Sequence, residues 1–102
     1  MILNANVPFR LNNLLDNISK EYARKAGGRA LLFEHRHKNV GDITVRGDAD
    51  KLEQILDNLL TNAIKFTLSG TIRFHTEYMA GRLYVEVGDT GIGMDEETLE
   101  RV

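Results

Sequence analysis

The sequence has no cysteine and a single proline, Pro8. The absence of cysteine excludes disulfides and thiolate metal sites. No apolar run approaches the ~20 residues needed to span a bilayer and no signal-peptide pattern opens the chain, so we expect a soluble segment. The net charge of −2 gives no electrostatic reason to expect nucleic acid as a partner. With 102 residues, 42% of them hydrophobic, the chain predicts one small domain with a modest core.

The most strongly patterned segment covers residues 48–67 and reads DADKLEQILDNLLTNAIKFT. Its apolar residues recur at spacings of three and four, which predicts an amphipathic helix with one face toward a core. These residues are Leu52, Ile55, Leu56, Leu59, Leu60, Ala63 and Ile64. Asp48 precedes the apolar run and is the candidate N-cap, because its carboxylate can accept an amide hydrogen bond.

Three polar residues, Asn58, Asn62 and Lys65, lie within an arc of about 60° along the edge of this stripe. Asparagine costs up to about 0.7 kcal/mol relative to alanine in a helix interior, so helix propensity does not explain two of them. A solvated face would explain either asparagine alone, whereas a stacked pair beside a lysine favours a ligand site. Because Mg²⁺ takes oxygen ligands and lysine meets phosphate charge, the pattern indicates magnesium–nucleotide chemistry.

The rest of the chain predicts an α+β fold, a two-layer α/β sandwich whose mixed, mainly antiparallel sheet carries helices on one face. The expected elements are a helix from Pro8 or Phe9 to the glycines at 27 and 28, strands over residues 30–37 and 43–46, and a hairpin of strands 72–78 and 82–87. Residues 1–7 are either a connecting end or an edge strand. Residues 95–102 predict the start of another helix with Asp95 as its N-cap.

A second motif follows the last hairpin strand. Side chains alternate along a strand, so Asp89 ends the apolar row formed by Leu83, Val85 and Val87. A buried carboxylate needs donors, and the exocyclic amino group of adenine is a suitable one; the alternative is an aspartate that caps the following turn. In the sequence DTGIGM, the two glycines that follow permit positive φ and close approach of the backbone to a ligand.

These two motifs together resemble a known family. ILDNLLTNAIKFT resembles the asparagine box of sensor histidine kinases, and DTGIGM resembles their first glycine box. Those kinases share an ATP-binding superfamily with gyrase, a heat-shock chaperone and mismatch-repair ATPases. The resemblance runs from about Phe9 onward. It implies that residues 1–102 form a partial ATP-binding domain, truncated at its C-terminus before the lid, the second glycine box and the final strands.

The resemblance also implies roles for individual residues, with ATP and Mg²⁺ as cofactors. The implied roles are Asn62 as Mg²⁺ ligand, Asn58 as a second polar contact, Lys65 as phosphate contact, Phe66 as an aromatic at the nucleotide site, Asp89 as the adenine-reading residue, and Gly91 with Gly93 as one side of the pocket. Asn58, Asn62 and Lys65 are the implied catalytic residues.

The activity implied is transfer of the γ-phosphoryl of ATP to a histidine on a separate dimerisation domain, in two-component signal transduction. A response regulator is the further partner, and the chain by itself is expected to be inactive. The domain would be cytoplasmic, and an inner-membrane sensor is one form that the parent protein can take. We also expect the chain alone to self-associate and to bind ATP weakly, because strands beyond Val102 would normally cover the hairpin edge.

Two other readings stay open. An ATPase of the gyrase or mismatch-repair type would place a water-activating glutamate four residues before the metal-binding asparagine, where this chain has Asn58, so transfer is favoured over hydrolysis. A noncatalytic nucleotide-binding or interaction module is disfavoured by the intact motif residues.

A metal site at His35 and His37 is disfavoured because no carboxylate or cysteine pattern surrounds them. Neither histidine fits the phosphoacceptor pattern, so the acceptor is expected upstream.

Overall fold

The computed structural model describes residues 7–89 and, for the backbone alone, residues 97–100. Within these residues, two helices pack on one face of a four-stranded sheet, which confirms the predicted two-layer α+β fold. The elements are β1 (Val7–Arg10), α1 (Leu11–Gly27), β2 (Leu32–Lys38), β3 (Thr44–Gly47), α2 (Ala49–Phe66), β4 (Thr71–Met79), β5 (Arg82–Asp89) and β6 (Glu97–Glu100).

The main sheet is mixed, as predicted, with strand order β2-β4-β5-β6. Strands β2 and β4 are parallel, because the chain crosses between them through α2, whereas β4–β5 and β5–β6 are antiparallel. Ala80 and Gly81 form the hairpin turn between β4 and β5 with φ of 54° and 78°. Positive φ at both central residues matches the right-handed twist of the flanking strands, so this turn fixes the hairpin register.

The core lies between the helices and the inner face of the sheet. Alternate residues of β4 and β5 are buried on that face, which is the predicted period-two pattern. The fully buried side chains are Tyr22, Phe74, Leu11, Leu15, Ile18, Leu56, Leu60, Ile72, Leu83, Val85, Val87 and Thr67. Because the apolar stripe of α2 is committed to this core, its opposite edge faces solvent.

The first helix starts later than predicted. Pro8 lies in β1, opposite Arg46 of β3, and α1 begins at Leu11, whose amide N–H donates to the carbonyl oxygen of Ile43 at 3.3 Å. Strand pairing of residues 7–10 with β3 is therefore preferred over an α1 helix that begins at Pro8 or Phe9. Proline is tolerated in β1 because an edge strand does not need every N–H donor. The interpretation of Pro8 as a helix starter is therefore wrong. Of residues 1–7, for which an edge strand was one alternative, only Val7 is described, and it lies in β1.

The second correction concerns residues 95–102, which were predicted to begin a helix. Residues 97–100 instead form β6, antiparallel to β5, with Tyr84 opposite Glu100 and Val87 opposite Glu97. This pairing gives β5 partners for backbone groups that an open edge would leave unpaired. The expectation of an open hairpin edge is therefore wrong over residues 84–87. Asp95, the predicted N-cap, lies outside the described residues.

Candidate functional site

Helix α2 is the element that positions the polar residues of the site. Asp48 caps its start, because the Asp48 carboxylate accepts a hydrogen bond from the backbone N–H of Lys51 at 3.0 Å. The helix is then oriented by its fully buried apolar residues. As a result, Asn58, Asn62 and Lys65 are all exposed, along the edge of α2 that faces away from the core. The structure thus brings this predicted row together.

Tyr22 of α1 joins the two helices through hydrogen bonds to α2 residues that neighbour this row. Its buried hydroxyl donates to the Oδ1 atom of Asp57 at 2.8 Å and lies 3.3 Å from the Oγ1 atom of Thr61. Burial is the main cause that raises the Tyr22 pKa to about 12, and the neighbouring Asp57 carboxylate raises it further. Sequence analysis did not identify this contact. The signal that could have found it is that a buried tyrosine hydroxyl needs a hydrogen-bond partner.

The C-terminal end of α2 presents an aromatic ring beside a cation. Phe66 is 53% exposed, and in the part of the chain that the structure describes it is one of five exposed large apolar side chains. The Nζ atom of Lys65 lies 5.3 Å from the centre of the Phe66 ring, within cation–π range. An exposed aromatic ring such as that of Phe66 can stack on a flat base, and an ammonium group such as that of Lys65 can pair with a phosphate.

Asp89 ends β5, opposite Ile72 of β4. Its Oδ2 atom accepts a hydrogen bond from the hydroxyl of Thr67 at 3.3 Å, and Thr67 is only 1% exposed. This contact joins the end of α2 to the end of β5, so it brings Asp89 close to the end of the helix that carries the polar row. Asp89 is only half-buried, and Thr67, which sequence analysis did not identify, supplies one donor to its carboxylate. The adenine amino group as its partner stays a prediction. Gly91 and Gly93 lie outside the described residues.

His35 and His37 lie on one face of β2, with ring centres 5.5 Å apart. His37 bridges α1 and the sheet: its Nε2 atom lies 2.9 Å from the Ser19 hydroxyl and its Nδ1 atom 2.7 Å from the Thr76 hydroxyl. Burial and, to a lesser degree, the neighbouring His35 lower the His37 pKa to about 4. The neutral ring is therefore a structural bridge, which sequence reasoning did not anticipate.

The donor set of α2 fits a magnesium ion that is held mainly by a ligand. Magnesium takes one or two protein oxygens and leaves its other positions to water and phosphates, so the exposed carboxamide of Asn62 is sufficient. Within residues 7–89, no group of three His, Cys, Asp or Glu side chains is placed to hold a metal ion by itself. Neither helix in the described part of the chain is long and apolar enough to cross a membrane.

Comparison with known proteins assigns the class of this domain. The family model described as histidine kinase-, DNA gyrase B-, and HSP90-like ATPase matches residues 47–102. This match covers both motifs, the asparagine pair on α2 and the glycines after β5. The chain belongs to this ATPase family, which confirms the family predicted from the sequence.

Individual relatives are named as kinases of signal transduction. The autoinducer 2 sensor kinase/phosphatase LuxQ of Vibrio parahaemolyticus is 43% identical over 94 residues, which are 86% of this chain and 11% of that protein. The signal transduction histidine-protein kinase BarA of Escherichia coli is 34% identical over 101 residues, which are 94% of this chain and 11% of that protein. The chain thus spans about 11% of the length of these curated relatives.

Solved structures agree on the fold. The catalytic domain of histidine kinase ThkA superposes with a TM-score of 0.72 at 29% identity, over 84% of this chain and 58% of that one. Full-length ShkA in complex with AMPPNP superposes with the same TM-score at 26% identity, over 88% of this chain and 19% of that one. The two-layer sandwich is therefore the fold of histidine kinase catalytic domains.

Proposed function

We propose that this chain is the ATP-binding catalytic domain of a sensor histidine kinase. It binds Mg²⁺–ATP between the exposed edge of α2 and the end of β5, and it presents the γ-phosphoryl to a histidine on a separate dimerisation domain. A response regulator then receives the phosphoryl group. The relatives named as a sensor kinase and as a histidine-protein kinase, together with the solved complex of ThkA with the response regulator TrrA, support this assignment.

The observation that carries the proposal is the contact between Thr67 and Asp89. Lys65 and Phe66 immediately precede Thr67 in the chain, so an ammonium group and an exposed ring are next in sequence to the residue that contacts the Asp89 carboxylate. A carboxylate suits the amino group of a base, and an ammonium group suits a phosphate. One nucleotide extending from Asp89 toward Asn62 would meet each group in turn.

Each residue then has a chemical role. Asp89 accepts a hydrogen bond from the adenine amino group, and the ring of Phe66 lies against the nucleotide. The Asn62 carboxamide oxygen holds Mg²⁺, Asn58 adds a second polar contact, and Lys65 lies against the phosphates. When bound, Mg²⁺ supplies positive charge to the phosphate oxygens. We assign Gly91 and Gly93 to the wall of the same pocket.

Catalysis comes from position and charge, since phosphoryl transfer requires little covalent chemistry from the protein. Transfer to histidine is favoured over hydrolysis because Asn58 occupies the position at which the hydrolases of this superfamily carry a water-activating glutamate. An ionised carboxylate can take a proton from water, whereas the neutral carboxamide of Asn58 is not basic enough to do so. Phosphohistidine is therefore the expected product, with little release of free phosphate.

The decisive experiment is Asn62→Ala in the protein that carries this chain, assayed for phosphohistidine formation with Mg²⁺ and radiolabelled ATP. We expect a loss of about 100-fold or more, because the metal loses its protein ligand. Asn17→Ala is the matched control, since it removes an exposed asparagine amide from α1 instead. Near-normal phosphorylation by a folded Asn62→Ala protein would refute the assignment.

A further inference from the structure

Thr67 occupies the position that connects the two halves of the site. It follows the last residue of α2, and its backbone N–H donates to the carbonyl oxygen of Ala63 at 3.1 Å, which completes the helix end. Its side chain contacts a different element, because the Thr67 hydroxyl donates a hydrogen bond to the Asp89 Oδ2 atom at 3.3 Å. The backbone of Thr67 therefore finishes the helix, while its hydroxyl acts on the end of β5.

We propose that Thr67 is the positioning residue for base selection: its hydroxyl orients the Asp89 carboxylate so that the site prefers adenine over purines that lack an amino group. This inference rests on the proposed function, because it requires Asp89 to contact the base. Thr67 does not itself touch the nucleotide in this account. Its effect passes entirely through one carboxylate.

The stiffness of Thr67 makes it suited to this role. A threonine is β-branched and has restricted χ1 rotamers, and Thr67 is 1% exposed, so its hydroxyl has a fixed position. An aspartate carboxylate, by contrast, turns easily about χ2, whose distribution is broad. A fixed donor on one oxygen therefore sets the plane in which the carboxylate meets its next donor.

The acceptor capacity of the carboxylate allows both contacts. An ionised carboxylate has about four lone-pair positions, and the Thr67 hydroxyl occupies one of them. A base amino group can use another without displacing Thr67. Sites that hydrogen-bond a ligand group discriminate strongly against analogues that lack it, because the polar group of the protein is then left without that partner.

A purely structural role makes a different prediction. Valine has nearly the shape of threonine, so it would fill the buried volume, and its backbone N–H would still complete the helix end. If the hydroxyl served stability alone, its removal would weaken binding of all nucleotides to the same extent. If it positions Asp89, its removal changes the preference among bases.

The test measures equilibrium binding, with Mg²⁺, of a nonhydrolysable ATP analogue and of the matching purine riboside analogue, which lacks the exocyclic amino group. The protein that carries this chain is compared with its Thr67→Val, Thr67→Ala and Thr67→Ser variants. We expect Thr67→Val and Thr67→Ala to reduce the preference for adenine about 3- to 10-fold, equivalent to at most about 1.4 kcal/mol. The effect is modest because 3.3 Å is long for a hydroxyl–carboxylate hydrogen bond. Thr67→Ser, which keeps the hydroxyl, should retain most of the preference.

Each outcome bears either on the role of Thr67 or on the proposed function. An unchanged preference in both hydroxyl-free variants, or an equal loss of affinity for both nucleotides, overturns the role of Thr67. Wild-type protein that binds both nucleotides equally also overturns it, while leaving nucleotide binding intact. Wild-type protein that binds neither nucleotide rejects the proposed function itself. Using alanine as well as valine keeps the test valid if one variant fails to fold.

Discussion

Helices α1 and α2 lie side by side on the same sheet, yet they use their polar residues differently. In α1, Ser19 and Tyr22 are buried and bonded to other elements, through His37 and Asp57 respectively. In α2, the row of two asparagines and a lysine is exposed. Buried polar groups with protein partners hold a fold together. Exposure alone does not distinguish the two rows, because Asn13, Asn17 and Lys20 of α1 are exposed at the same spacing. The row on α2 differs in lying within the segment that the family model matches and on the helix whose end contacts Asp89.

The strongest test of the difference between the two helices compares substitutions of one lysine from each helix. Lys65 lies over Phe66 at 5.3 Å and Lys25 lies over Tyr22 at 4.7 Å, so the two have similar aromatic neighbours. Lys65→Met should lower phosphohistidine formation about 10- to 100-fold, because a phosphate contact is lost. Lys25→Met should leave it unchanged in the same assay. Equal effects of the two changes would remove the functional distinction between the helices.

A smaller effect is expected from acid at His37. Its folded-state pKa of about 4 lies below the ordinary value of 6.5, so the unfolded chain takes up a proton first as the pH falls. Stability that is complete above pH 6.5 should therefore be lost as the pH falls toward 4. Because the ring is only half-buried, we expect a loss of about 1 to 2 kcal/mol rather than the full value of the shift.

The measurement for His37 is the free energy of unfolding by urea at several pH values. Carboxylates also titrate in this range, so the informative quantity is the difference between the wild-type protein and His37→Gln, whose neutral amide does not titrate. That difference should shrink as the pH falls from 6.5 to 4. A difference that is independent of pH would contradict the structural role assigned to the neutral ring.

The smallest effect is expected at Tyr22. Tyr22→Phe keeps the buried ring and removes only the hydroxyl that donates to Asp57, so it should reduce the free energy of unfolding by about 1 kcal/mol. Tyr84→Phe, on the opposite face of the sheet, is the control and should have a smaller effect. Thermal or urea unfolding measures both. If Tyr22→Phe were neutral, the contact would not contribute to holding the two helices together.

Local signals predicted the local structure well. The cap at Asp48 and the apolar spacing after it gave helix α2 to within one residue at each end. The alternation on both sides of Ala80 and Gly81 gave the hairpin. These elements are determined by residues close in sequence, where capping, periodicity and turn conformation act.

Errors arose where distant residues decide the structure. Pro8 was assigned to a helix because its pairing with Arg46 cannot be read from neighbours, and residues 97–100 were assigned to a helix because their pairing with β5 cannot either. In the site, the exposed row on α2 followed from helical geometry alone. The contact of Thr67 with Asp89 did not, because 22 residues separate them and only the folded sheet brings them together.

The parallel pairing of β2 with β4 has a consequence for the order of folding. Leu32 pairs with Thr71, so β2 must wait for a partner that is synthesised after α2 is complete. Closing such a long loop is slow, whereas the β4–β5 hairpin can form from adjacent residues. During translation, α1 and β2 therefore leave the ribosome with their apolar faces exposed to solvent. These faces become buried only after the later half of the chain has been synthesised.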